Sequence, residues 1–237
     1  MPSLHRIGGA PTLRGLCLLL ALAGGQGRAH AQSLADTARY VRRQWTTADG
    51  LPVNGLTSLL QGRDGYLWIT SWDGLIRFDG VRFTVYNRST TPGIPSNRLL
   101  NLAEDRTGLL FVRTDQGKLF TFQRGRATLM GPAQGLRGEG VTMLHRDPSG
   151  GLVAATEAGL FEWDGHRFVQ RWQAAPGAHR SGFAAVAMHG SLARGLWIGT
   201  YGDGLLYFAG GRMRQWTHIS GRPVSYTHLT LPTKRIV

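Results

Sequence analysis

The chain has 237 residues, 34 of them glycine, and a formal net charge of +13. One cysteine, Cys17, excludes a disulfide framework or a thiolate metal site. Six of the excess cations (Arg6, Arg14, Arg28, Arg222, Lys234 and Arg235) lie in the two ends, and setting them aside leaves +7, nearly all arginine and scattered through residues 32–221, so no nucleic-acid partner is expected.

Residues 1–31 read as a secretory signal peptide. His5, Arg6 and Arg14 form a basic start, Leu16 to Ala23 an apolar run too short for a membrane span, and Ala29-His-Ala31 a small-x-small cleavage site. Export without cysteines in the mature chain suits a periplasm, where bridges are permitted but not required. A short polar segment follows. Residues 39–47 then have strand character through Tyr40, Val41, Trp45 and Thr46. The turn-rich loop 48–55 leads into a series of short strands.

Those strands recur in groups of four, over residues 56–86, 99–130, 141–172 and 183–217. In the first group they are expected at Leu56 to Gln61, Tyr66 to Ser71, Leu75 to Phe78 and Arg82 to Tyr86. The second strand of each group is almost wholly apolar: Leu67-Trp-Ile69, Leu110-Phe-Val112, Leu152-Val-Ala-Ala155 and Leu196-Trp-Ile198. Such a run needs cover on both faces, as in a sheet packed between two neighbouring sheets. Glycine opens the third strand each time, at Gly74, Gly117, Gly159 and Gly204, spaced by 43, 42 and 45 residues. A period in the forties with several strands per unit is a signature of propeller blades.

The fold class is therefore all-β, a partial β-propeller of about four four-stranded blades. The sequence Arg-Gln-Trp-Thr stands both at 43–46 and at 214–217, the outer strand of the last repeat. Residues 39–47 are accordingly expected to form the strand that closes the ring. Residues 222–237 carry no blade phrase and read as a non-native, adapter-like tail. An open array of blades leaves sheet faces without partners, and marginal stability is expected of it.

Candidate chemistry is sparse. His145-Arg-Asp147 could supply a base and an orienting carboxylate, but lies at a strand end where polar residues are ordinary. His166, His179 and His189 share no metal-ligand spacing. Gly135-Leu-Arg-Gly-Glu-Gly140 lacks the lysine and helix of a phosphate cradle and reads as a flexible inter-blade loop. Asp73, Asp79, Asp164 and Asp203 each adjoin glycine, which is turn chemistry rather than a calcium loop. Trp45, Trp72 and Trp172 are candidates for a ligand surface, and Trp68, Trp163 and Trp197 for the core. No catalytic residue, cofactor or metal is expected in these residues, and no ligand contact is assigned.

The phrases Asp49-Gly-Leu-Pro, Asp64-Gly-Tyr-Leu-Trp-Ile-Thr with Asp73-Gly-Leu, and Leu196-Trp-Ile-Gly-Thr-Tyr-Gly-Asp-Gly-Leu205 resemble the two-component regulator propeller repeat. The resemblance covers about residues 40–217. The second repeat departs most, with Phe111 in place of tryptophan and Lys118 inside the Gly-Leu pair, and the third has Ala154-Ala155 in its second strand. The resemblance implies a seven-bladed periplasmic sensor ring, followed in a longer parent by a β-sandwich, a membrane helix and a histidine kinase or diguanylate cyclase output. It further implies a small-molecule or glycan ligand, a homodimer of the full-length parent and signalling through a phosphorelay or cyclase. The alternative is an exported propeller enzyme acting on polysaccharide, or an interaction scaffold.

Overall fold

A computed structural model describes residues 42–138, 140–175, 183–219 and 222–223. The signal peptide, Cys17, His179 and residues 224–237 of the tail lie outside them. The chain divides between Gln44 and Trp45. Of the first unit only residues 42–44 are described, without regular secondary structure. The second unit holds four antiparallel four-stranded sheets, each a simple meander.

The first blade comprises β1 (Leu56–Gln61), β2 (Leu67–Ser71), β3 (Gly74–Phe78) and β4 (Phe83–Tyr86). The second comprises β5 (Leu99–Glu104), β6 (Leu110–Thr114), β7 (Leu119–Gln123) and β8 (Arg126–Met130). β9 (Val141–Arg146), β10 (Leu152–Thr156), β11 (Gly159–Trp163) and β12 (Phe168–Gln173) form the third. β13 (Ala185–Ser191), β14 (Gly195–Thr200), β15 (Leu205–Ala209) and β16 (Arg212–Trp216) form the fourth. Two further two-residue strands, His218–Ile219 and Arg222–Pro223, pair with each other. The first strands approach each other from blade to blade, β1 beside β5, β5 beside β9 and β9 beside β13, with β2 also near β5 and β6 near β9. This is the arrangement of a partial β-propeller.

The apolar second strands do sit between sheets. Three core layers separate the blades, centred on Trp68, Leu75 and Phe120 between the first two, on Phe111, Leu144 and Phe161 between the next two, and on Val153, Leu160 and Leu206 between the last two. All of β10 is buried. Each layer takes one face of a blade and the opposite face of the next, which is why the second strands alternate so little.

The two outermost faces are open. Leu59 on β1 is 64% exposed, although Leu102 and Leu144, at the matching register of β5 and β9, are buried. Trp197 on β14 is 41% exposed, whereas Trp68, Phe111 and Val153 at the matching positions are buried against the following blade. Trp197 was expected in the core; it lies on the outer face of the fourth blade, tilted against Tyr207 and Trp216 at centroid distances of 4.5 and 5.6 Å.

The expected ring-closing segment contains no strand in its described part. Residues 42–46 belong to no sheet, and Thr47–Asp49 is a 3-10 turn capped by the Thr46 side chain.

One recurring local feature was not visible in the strand pattern, and another gains a physical reason. Every first strand carries a one-residue register shift after its first pairing, between Leu56 and Ser58, Leu99 and Asn101, Val141 and Met143, and Ala185 and Ala187. Such a bulge bends the strand and increases its twist. The glycine opening the third strand is required by space as well as by its backbone. Gly159 has φ 131°, and a Cβ there would run into the Trp172 carbonyl at the end of the fourth strand.

A candidate ligand-facing end of the blades

In a meander the turns after the first and third strands share one end of the sheet, and the turn after the second strand shares the other with the blade-to-blade connections. That second end is built alike in all four blades. The last residue of the second strand is Ser71, Thr114, Thr156 or Thr200, each fully buried. Its hydroxyl is spent on the turn. Ser71 Oγ donates to the Gly74 carbonyl at 2.9 Å and accepts from Asp73 N–H at 3.1 Å; Thr200 Oγ1 donates to the Gly204 carbonyl at 2.8 Å and accepts from Asp203 N–H at 3.2 Å. Thr114 accepts from Lys118 N–H at 3.1 Å, while Thr156 donates to the Arg137 carbonyl at 2.7 Å and accepts from Ala158 N–H at 3.1 Å. These hydroxyls take the place of the solvent that a buried turn backbone would otherwise need.

The next residue is held by the chain entering its own blade. Trp72 N–H donates to the Gly55 carbonyl, Asp115 N–H to Arg98 and Tyr201 N–H to Ala184, at 3.4, 2.9 and 3.0 Å. Its side chain differs in each blade: Trp72, Asp115, Glu157 and Tyr201. Trp72 is 45% exposed and Tyr201 66%. Arg98 bridges the first two. Its guanidinium carbon lies 5.1 Å from the Trp72 ring centroid, and Nη1 is 3.7 Å from Asp115 Oδ2. Asn97 Nδ2 donates to Asp73 Oδ1 at 3.4 Å, so the first two hairpins form one surface. An indole, a guanidinium and a carboxylate side by side can take a polar ligand with a flat apolar face.

The glycine-rich loop, from Gly135 on, continues a shaped element. Pro132–Gln134 form a 3-10 turn, Gly135 follows with φ 85°, and Gln134 Oε1 accepts from Gly131 N–H at 2.9 Å. Together with Gly117 and Lys118 it walls a cleft of about 240 Å³ between the second and third blades.

The residues weighed as a catalytic pair are structural. His145 Nε2 donates to the Gly190 carbonyl of the next blade at 2.8 Å, which fixes the proton on that nitrogen. It is one of three clasps between neighbouring first strands. Thr57 Oγ1 donates to the Leu99 carbonyl at 2.6 Å, and Leu144 N–H to Asn101 Oδ1 at 2.9 Å. Asp147 Oδ1 accepts from the Ser149 hydroxyl at 2.7 Å and Gly151 N–H at 2.8 Å. Burial pushes that carboxyl up, but these bonds and the neighbouring His145 outweigh it and hold the group below the usual carboxylate range. Asp79 and Asp164 cap their own turns, accepting from the N–H groups two and three residues on at 2.6–2.8 Å. Asp73 and Asp203 sit in the hairpins just described. His166 and His189 are exposed, and among the described residues no cluster of histidine and carboxylate groups could hold a metal ion.

Of the three tryptophans weighed for a ligand surface, only Trp72 lies in a hairpin turn of this end. Trp172 packs edge-on to Phe183, 5.1 Å away, against the core between the last two blades. Trp45 lies edge-on to Phe78 at 5.2 Å, by the opposite end of β3. Sequence reasoning passed over Arg98, Asp115 and Tyr201. The signal was present as the variable residue after an otherwise repeated Ser or Thr.

No protein-family model matches the chain, and no curated protein matches it. Solved structures do. The extracellular domain assigned to the hybrid two component system BT3049 of B. thetaiotaomicron superposes with a TM-score of 0.61 at 21% identity, over 74% of this chain and 26% of that one. A virginiamycin B lyase from Staphylococcus aureus superposes at 0.53 with 13% identity, over 74% of this chain and 61% of the lyase. A streptogramin B lyase gives 0.52 at 12% identity, over 70% and 55%. This chain thus spans about a quarter of the first and under two thirds of the lyases. The likenesses establish the β-propeller fold.

Proposed function

We propose that these blades belong to the extracytoplasmic, ligand-sensing propeller of a transmembrane signalling protein, a sensor histidine kinase or diguanylate cyclase. The carrying observation is the superposition on the extracellular domain of a hybrid two component system, reached by a chain whose blade phrases resemble the two-component regulator propeller repeat. The leader-like residues 1–31 support export to a periplasm. The ring would be completed to seven blades by further sequence, with a membrane helix and output domain beyond it and a homodimer as the signalling unit. A small molecule or glycan would bind at the hairpin end and bias the arrangement of the blades. Reading the parent gene past codon 237 tests this. Further blades, a membrane span and a kinase or cyclase domain support it; a frame that closes without them removes it.

A second reading is an exported propeller enzyme, favoured by the likeness to the virginiamycin B lyase. Lyase or hydrolase activity of the completed ring, in a gene with no membrane span, would establish it instead.

A further inference from the structure

The opposite end of the blades, where the turns after the first and third strands lie, carries a cleft at each blade interface. Between the first and second blades it measures about 480 Å³, within the range of small-molecule sites, roughly 300–1,000 Å³. Between the second and third it is about 360 Å³, and between the third and fourth about 230 Å³. The clefts are equivalent in topology and different in chemistry.

In the second cleft two arginines, Arg106 and Arg171, face three carboxylates. Arg171 Nε donates to Glu162 Oε2 at 2.7 Å, and Asp105 and Asp164 line the same walls. The first cleft holds two arginines, Arg77 and Arg124, against one carboxylate, Asp64. Asp64 is already engaged. Its Oδ2 accepts from Trp68 Nε1 at 3.0 Å and its Oδ1 from Tyr66 N–H at 3.1 Å. The Arg77 guanidinium carbon lies 4.6 Å from the Tyr66 ring centroid. Among the described residues neither Arg77 nor Arg124 enters a salt bridge.

Arg124 is also held at a cost. It has φ 50°, the one non-glycine residue with positive φ among those described. Arg124 and Gly125 are the two central residues of a tight hairpin with positive φ at both, a geometry that favours Asn-Gly or Gly-Gly. The fourth blade makes the same hairpin with Gly210 and Gly211. A side chain with no local hydrogen-bonding role, in a conformation where glycine is preferred, points to a purpose outside the turn.

We propose that the cleft between the first two blades binds an oxyanion, the carboxylate, sulfate or phosphate group of a small molecule, through the Arg77 and Arg124 guanidinium groups. Trp68 and Tyr86, which line the same wall, would face the remainder of that molecule. The site is at the other end of the blades from the Trp72–Arg98 surface and does not depend on the sensing role.

The test is calorimetric titration of the full chain with sodium sulfate, sodium phosphate and sodium benzoate, at ionic strength held constant with chloride. Saturable binding of at least one anion is expected, weakened about tenfold or more in Arg124→Gly and in Arg77→Gln, since each loses a charge-assisted hydrogen bond. Benzoate as the sole ligand would assign the cleft to organic carboxylates, and sulfate or phosphate binding to tetrahedral anions. Arg124→Gly relieves the turn, so its Tm should equal or exceed that of the parent, which separates lost binding from lost fold. Absence of saturable binding by the unmodified chain, or binding that survives Arg124→Gly unweakened, overturns the proposal.

Discussion

The indole N–H of Trp163, in the third blade, donates to Asp105 Oδ2, in the second, at 3.2 Å. In the first blade Trp68 bonds instead to Asp64 of its own blade. The same pair of residue types thus serves once to brace a turn and once to pin two sheets together. Asp105 Oδ1 meanwhile accepts from Thr107 N–H, its hydroxyl and Leu109 N–H, so the carboxylate is a fixed post to which the indole attaches.

Replacing Trp163 by Phe keeps most of the apolar contact with Phe111 and Phe168 but removes that bond. A loss of about 1–2 kcal/mol is expected, because a part-buried carboxylate oxygen is left without its donor. Urea unfolding should show a lower midpoint with an unchanged slope; an unchanged midpoint would show that the bond contributes nothing net.

Thr156→Val is close in shape and deletes a buried hydroxyl that serves two backbone groups, the Arg137 carbonyl and Ala158 N–H. The expected cost is about 1–3 kcal/mol. Hydrogen exchange should quicken at Ala158 more than in the middle of β10. Uniform exchange across the blade would contradict the assignment.

Gly159→Ala meets both an unfavourable φ and the Trp172 carbonyl. Backbone strain alone costs on the order of 1–3 kcal/mol, and the third blade cannot relieve the clash without shifting β12. Loss of soluble folded protein, or a steep fall in Tm, is expected. Gly165→Ala is the control, since a Cβ there meets nothing within 4 Å; equal effects at both would refute the close-approach argument.

Acid should destabilise the chain through its turn carboxylates. Asp147 is held below its ordinary value of 3.8 in the folded state, with Asp79 and Asp164 shifted the same way by backbone N–H groups. A depressed folded-state pKa gives stability that is present above the unfolded value and lost as pH falls through the folded one. The unfolding midpoint should therefore drop as pH is lowered from about 4 downward. Asp147→Asn should flatten that dependence while lowering stability at neutral pH. An identical acid profile in the variant would rule out Asp147 as a contributor.

Much of the fold was legible because blade repetition is a one-dimensional signal. The leading glycines, the apolar second strands and the short spacing of turns all follow from local backbone geometry and from burial on two faces. The polar site was less legible. Arg98 and Asp115 are 17 residues apart in sequence and belong to different local patterns. Only the bond from Asp115 N–H to the Arg98 carbonyl, followed by the guanidinium turning onto Trp72, brings the three together.

The tryptophans show the same division. Trp68 and Trp197 occupy the same place in the repeat and have the same neighbours in sequence, Leu before and Ile after. One is buried because a blade follows it; the other is exposed because none follows among the described sheets. From its own residues the chain determined strand, turn and repeat, since these depend on interactions within a few residues and on hydrophobic period. Which equivalent residue becomes core, clasp or exposed surface was decided only in the tertiary structure, because burial and cross-blade hydrogen bonds depend on what the neighbouring sheet presents.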